Sequence, residues 1–122
     1  MPDIWCIYHI KNCPYSHKDK FVVIACRDSK CMGFIINTER MRPFVKKRPE
    51  FLKAQVEIRE TNYNFLDHKS YINCAELREF DDKYLVDMRI PVNIITKAQI
   101  RKSVKESGLI ETRYERLILH ND

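Results

Sequence analysis

Between Lys20 and Glu79 the chain is a succession of short β-forming runs, and their pattern limits the possible folds more than any other feature. Phe21 to Cys26 is apolar at every position. A run that short and that uniformly apolar is a strand covered on both faces. Asp28 and Ser29 make a tight connection to a second run, Met32 to Ile36. Further along, Leu52, Ala54, Val56 and Ile58 alternate with Lys53, Gln55, Glu57 and Arg59. Period-two alternation sends one set inward and the other to water, which predicts a strand packed on one face. Ile4 to Ile10, Ser70 to Cys74 and Leu85 to Ile90 are the remaining strand candidates, with Glu79 to Tyr84 as a turn and Lys11 to Asp19 as a loop.

The character changes after Pro91. Thr96 and Gln99 have the spacing of a capping box, and Gly108 is a natural left-handed stop, so a helix is predicted from about Lys97 to Ser107. Ile110, Tyr114, Leu117 and Ile118 recur at helical spacing and predict a second helix. Strands first and helices last in 122 residues is a single α+β domain over residues 1–122, β-rich and curled into a small barrel.

Composition removes several function classes. With only Gly33 and Gly108, the chain has no Gly-rich loop to cradle phosphates. No apolar run approaches the roughly 20 residues that span a bilayer, so no membrane partner is expected. The first ten residues lack the charged start and apolar stretch of a secretory signal. A cytoplasmic protein with reduced cysteines is therefore the expectation. Cys6-x2-His9 has a zinc-like spacing, but on a strand the two side chains point to opposite faces. Cys26 and Cys31 flank a turn, leaving a disulfide or a metal pair open beside their reading as small buried hydrophobes. Neither the cysteines nor the carboxylates Glu76, Glu79, Asp81, Asp82 and Asp87 have a spacing that calls for a metal, and no cofactor is expected. No Ser or Cys nucleophile is paired with a particular histidine by any motif.

Cations are the sharper signal. Arg40, Arg42, Lys46, Lys47 and Arg48 crowd into nine residues, with Phe44 among them and prolines at 43 and 49. Such a loop can follow a phosphate backbone while its ring stacks on a base, or it can simply be a solvated connection. Lys97, Arg101 and Lys105 make a stripe on the predicted helix, the ordinary pattern of a solvated helix face. His17 stands among Ser16, Lys18 and Asp19, where an imidazole could serve as acid or base or have no role at all.

Three segments carry a resemblance. "KDKFVVIA" is similar to the second strand of the PemK/MazF toxin family, "GFIINTE" to its third, and "LDHKSYINCAEL" to a later strand opened by a serine. The resemblance implies an SH3-like barrel, dimeric, that cuts single-stranded RNA without a metal or cofactor by attack of a ribose 2′-hydroxyl on the adjacent phosphate. It carries the family's catalytic Arg onto Lys20 and its Thr onto Thr38. The family's Arg-Pro is here Lys20-Phe21, and its opening Gly-Asp is absent. Lysine keeps the charge but not the planar fork that grips phosphate twice. His17 or Arg27 is then the candidate for the missing proton-transfer group, with Arg27 and the Arg40, Arg42, Phe44, Lys46, Lys47 and Arg48 loop as RNA contacts. The expected partners are single-stranded RNA, an antitoxin-like protein and a second copy of the chain. The alternative is a barrel without catalysis that acts through protein contacts, as an antitoxin decoy or an accessory factor of a phage or mobile element.

Overall fold

The uniformly apolar run of Phe21 to Cys26 does become a strand covered on both sides, and the rest of the molecule is arranged around it. In the computed structural model, which describes residues 1–38 and 48–120, the strands are β1 (Cys6–Ile10), β2 (Lys20–Arg27), β3 (Cys31–Asn37), β4 (Gln55–Ile58), β5 (Ser70–Asn73), β6 (Arg78–Phe80) and β7 (Asp87–Pro91). The helices are α1 (Pro49–Lys53), α2 (Ile94–Ser107) and α3 (Thr112–His120), with a short 3₁₀ helix at Asp82–Tyr84. All the pairings are antiparallel, in the order β4-β5-β3-β2-β1-β7, and β6 pairs with the other half of the β3 edge.

Alternation along β2 sorts its side chains between two cores. Val23, Ala25 and Cys26 join Phe34, Ile36, Ile72, Ile100, Val104 and Ile118 on the side of α2 and α3. Val22 and Ile24 join Tyr8, Ile10, Cys13, Cys31, Phe80 and Leu85 on the other. Full burial of each large side chain is worth about 1.5–3 kcal/mol, so the central strands anchor the fold. A register shift between Ile24 and Cys26 lets consecutive residues Ala25 and Cys26 face the same core.

The expected closed barrel is corrected to an open sheet. Among the described residues, β4 and β7 are the two ends of the strand order and do not pair with each other, and β6 pairs with β3 alone. Each edge is managed differently. β4 has α2 packed beside it, while β7 is bent by two consecutive residues in the left-handed region, Met88 (φ 82°) and Arg89 (φ 52°). Such a bulge twists an edge away from further pairing.

Three local expectations also change. The alternating segment is divided: Pro49 opens the short α1, Leu52 lies inside it, and the strand begins only at Gln55. Proline suits a first helical turn, where its missing N–H costs nothing. The helix cap is Asn93, whose side chain accepts from the Thr96 N–H, so α2 starts at Ile94 and Thr96 is interior and buried. Asparagine outranks threonine as a cap, and the Thr96 hydroxyl instead accepts from Tyr63 at 2.7 Å. The segment from Glu79 to Tyr84 is not wholly a turn, since Arg78–Phe80 pairs with β3. Gly108 ends α2 at φ 66°, as predicted.

All five cysteines are buried and unbridged. Cys26 lies opposite Met32 while Cys31 lies opposite Arg27, and the two thiols belong to different cores. They cannot form the disulfide or metal pair their spacing allowed.

Candidate functional site

The hairpin of β2 and β3 pairs Phe21 with Ile36 and thereby brings Lys20 beside Asn37, with Thr38 next in the chain. The Lys20 ammonium donates to the Asn37 side-chain oxygen at 3.0 Å. Thr38 is exposed where the chain leaves β3. Lys20 and Thr38 thus share one end of the sheet, although the partner of Lys20 is Asn37.

The same sheet end holds a group that sequence reasoning passed over. His9, opposite Phe21 across β1 and β2, has its Nδ1 at 3.2 Å from Asp87 Oδ2 and its Nε2 at 3.9 Å from Asp19 Oδ2. Its ring also packs on Phe21 at 5.2 Å between centroids. Asp87 reaches this position because of the bulge in β7: Ile7 pairs with Ile90, yet His9 pairs with Asp87. One extra residue is absorbed at Met88 and Arg89, both at positive φ, each a conformation that costs on the order of 1–3 kcal/mol. Bulges next to active sites commonly re-aim a side chain in this way. A carboxylate on one ring nitrogen fixes the imidazole's orientation, the geometry that general acid–base catalysis requires.

The remaining candidates fall elsewhere. His17 lies in the β1–β2 loop at φ 58°, its backbone N–H donating to the Cys13 carbonyl at 2.8 Å, with its side chain exposed. That loop is closed by Asp19, which accepts from the Asn12 N–H at 2.9 Å. Arg27 sits at the far end of β2, about 23 Å from Lys20 at the usual rise per residue. It makes a two-pronged bond to Asp82 at 3.0 and 3.1 Å and a third to Cys31 Sγ at 2.8 Å. It is therefore remote from the Lys20 end and engaged in structure. Arg48 is exposed before α1 with its guanidinium over the Phe51 ring at 5.6 Å. Arg40, Arg42, Phe44, Lys46 and Lys47 lie outside the described residues. On α2, Lys97 and Arg101 both lie 5.3 Å from the ring of buried Trp5. The stripe is thus partly packing rather than wholly a solvated face.

Among the described residues no three His, Cys, Asp or Glu side chains are arranged to hold a metal ion, and no helix is long and apolar enough to cross a membrane. Beside the His9 end lies an open pocket of about 550 Å³, between residues 61–65 and 90–93. Neither His9 with Asp87 nor this pocket has a local sequence signature. The residues of the first are 78 apart in the chain, and the second is built from two connections that meet only in the fold.

Comparison of the sequence with protein-family models and with curated proteins finds no match.

Proposed function

We propose that this protein binds single-stranded RNA and cleaves it at the sheet end formed by β1, β2 and β3. The observation that supports the reading best is the strained β7 bulge that seats Asp87 on His9 at the end of the sheet where Lys20 and Thr38 emerge. In this mechanism His9, oriented by Asp87, removes the proton of a ribose 2′-hydroxyl. The oxygen attacks the adjacent phosphate, the P–O5′ bond breaks, the leaving oxygen takes a proton from solvent water, and His9 then gives up to solvent the proton it removed. Lys20 stabilises the charge that builds on the phosphate, as positioned cations do, and the Thr38 hydroxyl hydrogen-bonds a phosphate oxygen. Alternation sends Phe21 toward His9 and Lys20 toward Asn37, so a phosphate drawn across the sheet end is approached from both faces. His9 here takes the proton-transfer role that the sequence suggested for His17 or Arg27. On this reading the open sheet is an SH3-like variant of the PemK/MazF type, acting as a toxin with an antitoxin-like partner and a second copy of itself. The order of strands followed by a capped helix and a terminal helix supports it.

A second reading, contact with another protein without catalysis, is favoured by a different observation. Ile94 and Ile95, adjacent at the start of α2, are 82% and 66% exposed, apolar surface of the kind a protein partner covers.

Incubation of the protein with a long labelled single-stranded RNA in EDTA separates the two. Discrete cuts with 2′,3′-cyclic phosphate ends are expected, falling by about a hundredfold or more in His9→Ala and strongly in Lys20→Ala and Thr38→Ala. RNA left intact by the wild type would favour the interaction protein, and cuts that persist in all three variants would refute this site.

A further inference from the structure

The pocket beside the His9 end has a composition unlike the rest of the surface. Of this chain's residues 32% are charged, yet all nine that line the pocket, from Thr61 to Phe65 and from Ile90 to Asn93, are uncharged. A phosphate or carboxylate entering it would find no cation. A cation would find no carboxylate. What the lining offers is an aromatic ring, Phe65, apolar walls from Ile90 and Pro91, and the exposed side-chain amides of Asn62 and Asn64. Each amide carries both a donor and an acceptor. A flat, neutral group with a π-face and donors and acceptors along its edges matches that set, and a nucleobase has this chemistry.

The pocket is also held in shape. The Asn62 and Tyr63 N–H groups both donate to the Arg59 carbonyl, and the Leu66 N–H to the Tyr63 carbonyl. Tyr63 and Leu66 are buried in the helix-side core. The Tyr63 hydroxyl donates to Thr96 at 2.7 Å and accepts from the Asn93 N–H at 3.1 Å, tying one wall of the pocket to the other. Phe65 is half-buried against Tyr63 at 6.0 Å and against Phe21 at 4.7 Å, and Phe21 in turn meets His9 at 5.2 Å. Two ring contacts therefore connect the pocket to the imidazole. The strand that supplies Asp87 to His9 supplies Ile90 and Pro91 to the pocket.

We infer that this pocket binds one base of an RNA strand, stacked on Phe65 and read at its edge by Asn62 and Asn64, while the strand's phosphates lie toward His9 and Lys20. The inference rests on the proposed RNA reading for the source of the base, but base binding itself requires no catalysis.

The test follows the backbone amide resonances of Asn62, Asn64 and Phe65, and the side-chain amides of the two asparagines, during titration with the four neutral nucleosides, with inorganic phosphate, and with a short single-stranded RNA. Nucleosides are expected to shift these resonances and phosphate is not. The RNA is expected to bind more tightly than any nucleoside, by a margin that shrinks with added salt because only the strand engages cations. Asn64→Ala, an exposed change that leaves the packing of Phe65 intact, should alter the order of preference among the four nucleosides. Phe65→Leu should weaken nucleoside binding about tenfold or more. Shifts produced by phosphate, or no shift with any nucleoside, would overturn the pocket assignment even if RNA is cleaved. Equal affinity for nucleoside and RNA at all salt concentrations would overturn the strand assignment. Nucleoside binding together with uncut RNA would remove the cleavage proposal and leave the base pocket standing.

Discussion

Gly33 shows how tightly single positions are constrained here. A Cβ built on it would stand 2.3 Å from the Val23 carbonyl oxygen of the neighbouring strand, a contact with backbone that cannot swing aside. Gly33→Ala should therefore destabilise the protein by about 2 kcal/mol, within the usual range for overpacking a filled core. Urea unfolding at neutral pH measures this, and a loss below about 0.5 kcal/mol would show that β2 and β3 can separate freely at that point. Trp5 is a second constrained residue, buried at φ 64° with its backbone N–H on the Ile24 carbonyl and its carbonyl accepting from Val92. These bonds hold the chain between β2 and the segment leading into α2. The indole N–H has no acceptor among the described residues, while the indole ring is covered by the Lys97 and Arg101 cations. The cost of one unmade hydrogen bond is thus offset by cation–π contact and burial. A positive φ at Trp, Met or Arg is not legible in sequence, because these residues rarely adopt it and do so only when the surroundings over-determine them.

Elements are tied to one another by a few polar links whose behaviour with pH can be followed. Arg27 at the end of β2 grips Asp82 in the 3₁₀ helix that follows β6. Those hydrogen bonds hold the Asp82 carboxyl below the usual carboxylate range. A carboxyl with a lowered folded pKa contributes stability above its unfolded pKa of about 3.9, and the contribution is lost as pH falls through the lower folded value. The melting temperatures of wild type and Asp82→Asn should therefore differ most at neutral pH and converge as the solution is acidified below about pH 4. Parallel curves across the acid range would show that the pair contributes nothing to folding. The link was hidden in the sequence because Asp81 and Asp82 resemble ordinary turn residues, and the Arg27 that grips Asp82 is 55 positions away. The start of α2 was misplaced for a related reason. Thr96 and Gln99 satisfy a local rule, but Asn93 satisfies a stronger one, and Tyr63 from another connection takes up the threonine hydroxyl.

For the molecule as a whole, burial on both faces of the sheet governs the thiols. Desolvation pushes the Cys26 thiol up to about 12 and the Cys74 thiol higher still, and it raises those of Cys6 and Cys31 as well. At pH 8 the native protein should react slowly with a thiol reagent, and all five cysteines should react once denaturant is added. Rapid modification of several thiols without denaturant would mean that one of the two cores opens readily. The sequence by itself determined the burial of β2, the β-rich α+β plan and the Gly108 stop. Each is written in a pattern that acts over a few neighbouring residues: an apolar run, a period-two or helical repeat, a glycine where a left-handed turn is needed. Only the tertiary structure decided that β7 lies beside β1, that its bulge turns Asp87 onto His9, that the sheet stays open, and that residues 61–65 face 90–93 across a neutral pocket. Strand partners are selected by which surfaces bury each other best across the whole chain, and no local pattern encodes that choice.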